Sequence, residues 1–285
     1  MKLTQTETGQ KRMPQKNKDN SLLTNQDLSI QISLSGLSFC ILQREVNTIS
    51  FLKHVGFEKK LNPLEVLDQL IHVFNTEETL QTAFNTVNVI HVNELSTLIP
   101  KPLFNEEHLA DYLKFNSKIL KSDFIAFDTI KTNDSVNVYV PYVNINNYIY
   151  EKFGTFTYKH FSTILIEQIL AIEKNSDTIK MYANIGENHF EILLVNKGKL
   201  TLYNTFEYST KEDFIYYLLF TAEQLNLNPE TLNLVLLGQV EKDDAFYKIA
   251  YKYIRNVSLG NRMDAYNFTQ NPKTNHSDFT LTHSF

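Results

Sequence analysis

MYANIGENHFEILLVNKGKLTLYNTFEY, residues 181–208, reads as three strands separated by two tight reversals. Gly186 and Gly198 mark the reversals, and the runs between them have the apolar, β-branched and aromatic content of strands. The same pattern occurs earlier in the chain, in LSIQISLSGLSFCILQREVNTISFLKHVG, residues 28–56. There Gly36 serves the first turn, with a positive φ open to it as a glycine, and Arg44-Glu45-Val46-Asn47 the second. A three-strand pattern written twice in one chain points to a duplicated architecture.

The segments after the two three-strand stretches extend the parallel. After the first comes NPLEVLDQLIHVF, with Asn62 as N-cap, Pro63 at the first helical position and Glu65 completing a capping box. Leu64, Leu67, Ile71 and Phe74 recur at helical spacing as an apolar stripe. After the second comes Ser209-Thr210-Lys211-Glu212, again a capping box, and then Phe214, Tyr217, Leu218, Thr221, Ala222 and Leu225. The run LNLVLLG, residues 232–238, has the continuous apolar character of a buried parallel strand. A helix over 243–254 comes next, with Phe246, Ile249, Ala250 and Tyr253 on one face. Three antiparallel strands, a helix, a parallel strand and a helix is the order of a ribonuclease-H-like domain.

The segments between the two three-strand stretches supply the remaining elements of the first domain and a crossover helix, HFSTILIEQILAIEK. We therefore divide the chain into a disordered N-terminal tail (1–24), a first domain (25–158) and a second domain (159–285) that includes the crossover helix. The tail is polar and aperiodic. The last stretch, NPKTNHSDFTLTHSF, carries no clear period and is assigned no element.

Composition narrows the function mainly by exclusion. The chain has 285 residues, 42% hydrophobic and 21% charged, which is globular. A net charge of −5 lacks the basic footprint of a nucleic-acid binder, so no nucleic-acid partner is expected. The 20 Phe and 15 Tyr then read as core and sheet-face packing. One cysteine, Cys40, excludes an intrachain disulfide and reads as a small buried hydrophobe within a strand. The longest apolar run, FIYYLLFTA, is too short for a membrane span, and the N-terminus has no signal-peptide core. A cytoplasmic chain without membrane insertion is the expectation. The histidines show no HxH or HExxH spacing, and neither a P-loop nor a GxGxxG is present.

With LSIQISLSGLSF, TLIPKPLF, VYVPYVNINNYIYEKFG and YANIGENHFEILLV in this order, the chain resembles an uncharacterised bacterial family, a domain of unknown function with an actin-like ATPase fold. That resemblance implies an α/β architecture of two ribonuclease-H-like domains. More distantly, the halves resemble actin-like pilus-assembly and secretion-platform proteins, several of which are scaffolds. In active members of the fold, each first hairpin carries an Asp-x-Gly whose turn amides cradle phosphate while the Asp holds hydrated Mg²⁺. A Gly-Gly turn in the second domain packs the adenosine.

Mapped onto this chain, the first hairpin has Gln31 for the Asp and Ser33 for the glycine. The second has Asn184 for the Asp and retains Gly186. The adenosine turn retains Gly238 and has Gln239 for the second glycine. These six positions form the expected degenerate nucleotide site, with a neutral amide in place of each metal-side carboxylate. Glu187 would direct charge at the phosphates with no metal between, and Asp243 and Asp244 read as the start of the next helix. The sequence reading is thus a pseudo-ATPase: a non-catalytic scaffold whose partner is another protein, with no cofactor. The alternative reading is a weak or unconventional ATP-binding protein or ATPase of the same class.

Overall fold

The computed structural model describes residues 4–5, 11–12, 25–115, 117–270 and 272–285. The chain divides into two compact units. Unit 1 comprises Met1–Leu165, Ala265–Gln270 and Thr280–Phe285, and unit 2 comprises Ile166–Asp264 and Asn271–Phe279.

Unit 1 is built on a mixed sheet. Its two short leading strands are β1 (Thr4–Gln5) and β2 (Lys11–Arg12). The meander comes next as β3 (Gln26–Ile32), β4 (Gly36–Gln43) and β5 (Thr48–Gly56), antiparallel throughout. Helix α1 (Pro63–Thr76) leads to β6 (Thr86–His91), which lies parallel to β3. The chain then makes a separate three-stranded antiparallel sheet: β7 (Ser96–Pro100), β8 (Ala126–Ile130) and β9 (Ser135–Tyr139), in the order β7-β9-β8. The short α2 (Leu109–Leu113) sits within it in sequence. After α3 (Val143–Phe153), β10 (Thr157–His160) returns to the main sheet parallel to β6.

Alternation along β3 explains how the sheet is used. Leu28, Ile30 and Ile32 pack with Phe39, Val66, Leu70 and Phe74 in one apolar core, while Ser29 and Gln31 point to the opposite face. Phe74 is central to that core, meeting Phe39 edge-on at 5.8 Å and Phe153 at 5.4 Å between ring centroids. Cys40 is fully buried, as its strand context suggested.

Unit 2 repeats the topology. Helix α4 (Phe161–Ile172), whose first residues to Leu165 belong to unit 1, leads into β11 (Ile179–Ile185), β12 (His189–Asn196) and β13 (Lys199–Glu207), a second antiparallel meander. Helix α5 (Lys211–Gln224), β14 (Asn233–Gly238), α6 (Ala245–Tyr253) and β15 (Asn256–Leu259) complete it, with β14 parallel to β11 and β15 parallel to β14. The order β13-β12-β11-β14-β15 matches β5-β4-β3-β6-β10 in unit 1, strand for strand and direction for direction. The duplication inferred from the two quoted stretches is therefore present in the fold.

Several local expectations shift. The α1 box forms as expected, with Asn62 accepting from Leu64 and Glu65 while Glu65 accepts from the Asn62 amide. The α5 box lies one residue later than expected, on Thr210 and Asp213, because Asp213 accepts the Ser209 and Thr210 amides. On α1 the buried residues are Val66, Leu70, Val73 and Phe74, and Leu64 in the first turn is exposed. Tyr253 on α6 is likewise exposed. Gly36 does not take a positive φ. Its glycine is required by proximity instead: a Cβ there would lie 2.7 Å from the Val55 carbonyl oxygen across the ladder.

Two boundaries also differ. Within the expected tail, Lys11–Arg12 pairs antiparallel with Thr157 and Tyr158, and most of the tail lies outside the described residues. Residues 265–270 and 280–285, expected in the second domain, belong to unit 1. Strand β16 (Asn267–Phe268) pairs with β5, and Leu281 of the short helix α7 (Phe279–Thr282) is buried with Cys40, Ile49, Ile90 and Val92. Among the described residues, no helix is long and apolar enough to cross a membrane.

Candidate functional site

The candidate positions lie where the meander strands reverse. In unit 1, Gln31 lies one residue before the end of β3, opposite Ser38, and Ser33 opens the turn. The Ser33 amide donates to the Gly36 carbonyl at 3.0 Å. The Ser33 hydroxyl does more. Its Oγ accepts from the Ser35 amide at 3.2 Å and the Gly36 amide at 2.9 Å. One serine thus takes up two backbone donors at the turn where the resemblance expects a phosphate cradle.

Unit 2 makes the same reversal. Asn184 lies opposite Glu191 in the register, as Gln31 lies opposite Ser38. The Gly186 amide donates to the His189 carbonyl at 2.9 Å, the counterpart of the Ser33–Gly36 bond. The imidazole of His189 occupies the space beside Gly186, where a Cβ would come within 3.0 Å of Cε1. The Tyr208 hydroxyl donates toward the Gly186 and Glu187 carbonyls, at 2.7 and 3.1 Å. Glu187 is exposed at the tip.

Behind this turn is a group the sequence reading missed. Glu191 is fully buried, and its Oε2 accepts from the Asn184 side-chain amide at 2.7 Å. Its Oε1 lies 3.4 Å from His189 Nε2. Burial raises the Glu191 carboxyl above the usual carboxylate range, partly offset by His189 and by the Asn184 hydrogen bond. Alternation along HFEILLV marks Glu191 as sharing a face with His189, but a glutamate in a strand gives no sign that it will be buried.

Gly238 ends β14 in the left-handed region, with φ at +82°. It pairs with Ile185, and a Cβ would sit 2.2 Å from the Ile185 carbonyl oxygen, so only glycine fits. The Gln239 amide donates to that same carbonyl at 2.7 Å, and the Gln239 side chain is exposed. Asn184, Gly186, Gly238 and Gln239 therefore gather at one end of the unit 2 sheet. Asp244 holds the N-cap position of α6, but its carboxylate accepts from the Glu241 amide at 2.7 Å instead of capping the helix.

The C-terminal stretch reaches these positions in each unit. In unit 1, the Thr280 hydroxyl donates to Gln31 Oε1 at 2.6 Å, and the Ser284 and Ser29 hydroxyls meet at 2.6 Å. In unit 2, the Gly238 amide donates to the His276 carbonyl at 3.0 Å. His276 Nε2 in turn donates to the Val240 carbonyl at 2.5 Å. Among the described residues no group of three or more His, Cys, Asp or Glu side chains could hold a metal ion.

Two units that share a five-strand order, with the same backbone hydrogen bond closing the first reversal of each, are the arrangement of an actin-like ATPase fold. A structure from Bacteroides thetaiotaomicron VPI-5482, a protein with actin-like ATPase fold and unknown function, is similar at 25% identity and a TM-score of 0.75. The match covers 86% of this chain and 94% of that one. The PilM–PilN type IV pilus biogenesis complex contains a chain of the same fold, at 13% identity and a TM-score of 0.55 over 90% of this chain and 94% of that one. No curated protein matches the chain. The chain belongs to the family described as protein of unknown function, DUF3822, whose family model matches residues 15–257.

Proposed function

We propose that this protein is a cytoplasmic, non-catalytic interaction or scaffold module that keeps the actin-like fold without its metal-nucleotide chemistry. The observation that carries this reading is the fate of the turn donors. The Ser35 and Gly36 amides are taken by the Ser33 hydroxyl, and the Gly186 and Gly238 amides by the His189 and His276 carbonyls. A phosphate would have to break bonds the chain already makes.

The residues present do not suit a hydrated Mg²⁺. Gln31 and Asn184 offer neutral amides, whereas Mg²⁺ takes hard oxygen ligands, largely carboxylate and water. The carboxylate nearest Asn184, that of Glu191, is buried and bonded to the Asn184 amide. Without a divalent ion, negative charge accumulating on a transferring phosphoryl group has no partner here. That a chain of this fold occurs in a complex with PilN favours a protein partner, at the level of fold alone.

Phosphate release from ATP is the test. Purified protein with ATP and Mg²⁺ is expected to release phosphate no faster than buffer. Turnover that requires Mg²⁺ and falls with a substitution at Gln31 or Asn184 would replace this reading with the ATPase one.

A further inference from the structure

The last residues of the chain take hydrogen-bonding positions that the sequence reading assigned to a ligand. In unit 1, Thr280 bonds Gln31 and Ser284 bonds Ser29, on the face of β3 away from the α1 core. Between them Leu281 is 1% exposed, seated among Cys40, Ile49, Ile90, Val92, Phe161 and Ile164. In unit 2, the His276 backbone carbonyl takes the Gly238 amide, and Arg262 holds that loop by donating to the Thr274 and Ser277 carbonyls at 2.8 and 3.0 Å. Each contact is of the kind a bound peptide makes: a hydroxyl on a side-chain amide, a leucine in an apolar socket, a carbonyl on a strand-end amide.

We propose that residues 274–284 act as a built-in ligand that docks and releases, and that the socket on unit 1 binds a short peptide that presents a leucine between two hydroxyl side chains, spaced as Thr280, Leu281 and Ser284 are. The segment is poorly tied to its own secondary structure. α7 has four residues, too few to persist alone, and Asp278 immediately before it is held in the left-handed region at φ 57°. Its anchorage therefore comes from the docked contacts, with Leu281 in the socket and His276, Phe279 and Thr282 also buried. A tethered segment competes at an effective concentration on the order of millimolar, so an outside peptide enters only when the tether is out. The proposal rests on the scaffold reading in one respect: it takes the Gln31 and Gly238 positions as places of regulated access.

Hydrogen exchange on the full-length wild type tests docking and release directly. Amides of 281–284 and of Gly238 should be protected, yet should exchange at least tenfold faster than β3 and β4 through a partial opening. Exchange at free-peptide rates, or only together with β3, would overturn the proposal. A second measurement uses Leu281→Asp, which places a charge in the socket, and a labelled synthetic peptide FTLTHSF. The folded variant should bind the peptide at least tenfold more tightly than wild type does, and equal binding would overturn the claim about the socket. Neither readout involves nucleotide, so Mg²⁺-dependent ATP turnover would defeat the scaffold reading while leaving this result to stand or fall separately.

Discussion

The Asn184 side-chain amide donates to the buried carboxylate of Glu191 at 2.7 Å, directly across the first hairpin of unit 2. The position that the resemblance to actin-like ATPases maps onto a metal-binding Asp is thus, on the reading proposed above, a hydrogen-bond donor to an acid. The Asn184 nitrogen serves one oxygen of the buried Glu191, and His189 Nε2 lies 3.4 Å from the other.

Replacing that donor sets two carboxylates against each other. Asn184→Asp should cost about 1–3 kcal/mol near neutral pH, by losing the bond and adding like charge. Glu191 is already raised by burial, and a neighbouring acid raises it further. A raised acid keeps its proton in the native state after the unfolded chain has lost it. Its contribution is present below the unfolded value and lost as pH rises through the folded one. Urea titrations across pH 4–8 should show the Asn184→Asp deficit shrinking toward acid. Glu191→Gln in the same background should remove that pH dependence.

Gly238→Ala should be among the most damaging single-methyl additions in unit 2. The new Cβ would meet the Ile185 carbonyl oxygen at 2.2 Å, on a backbone already at φ +82°. Two penalties, the left-handed backbone and the forced displacement of β11, suggest a loss of about 3 kcal/mol or more. Thermal unfolding should register it as a large drop in midpoint. A neutral outcome would mean that the glycine is retained for some other reason.

Two buried histidines in unit 1 predict acid sensitivity. His91 accepts the Tyr142 amide at Nδ1, leaving Nε2 to donate to Asn146 Oδ1 at 3.0 Å. His160 donates from Nε2 to the Asn93 carbonyl at 3.0 Å, and its Nδ1 faces the Ser162 hydroxyl at 2.7 Å. Both rings are therefore neutral, and burial lowers each from 6.5 to about 3. A depressed value means that the unfolded chain takes up a proton before the native one does. Stability is retained above about 6.5 and falls as pH drops toward about 3. The limiting slope is about 1.4 kcal/mol per pH unit for each ring. Unfolding at pH 7.5 and 5 should show the loss, and His91→Gln should make it shallower.

Much of the architecture was legible because it depends on local pattern. Leu28, Ile30 and Ile32 alternate with Ser29 and Gln31, and LNLVLLG is apolar throughout, so meander and parallel strand declare themselves. The turn positions were legible as well, but not what occupies them. Ser33 capping two amides depends on a side-chain rotamer, and Glu191 depends on which strand face is covered. Gly36 shows the same gap: sequence marks a glycine there but does not distinguish a positive φ from a close carbonyl. The C-terminal stretch was illegible for a different reason. Thr280 and Leu281 find their partners on residues far away in sequence, with no periodic signal nearby to report it.

Titration calorimetry with ATP, with and without Mg²⁺, separates a fold kept without metal-nucleotide binding from a working ATP site. Affinity should be weaker than about 1 mM, about −4 kcal/mol, with no gain on adding Mg²⁺. Micromolar binding that strengthens with Mg²⁺ would contradict it.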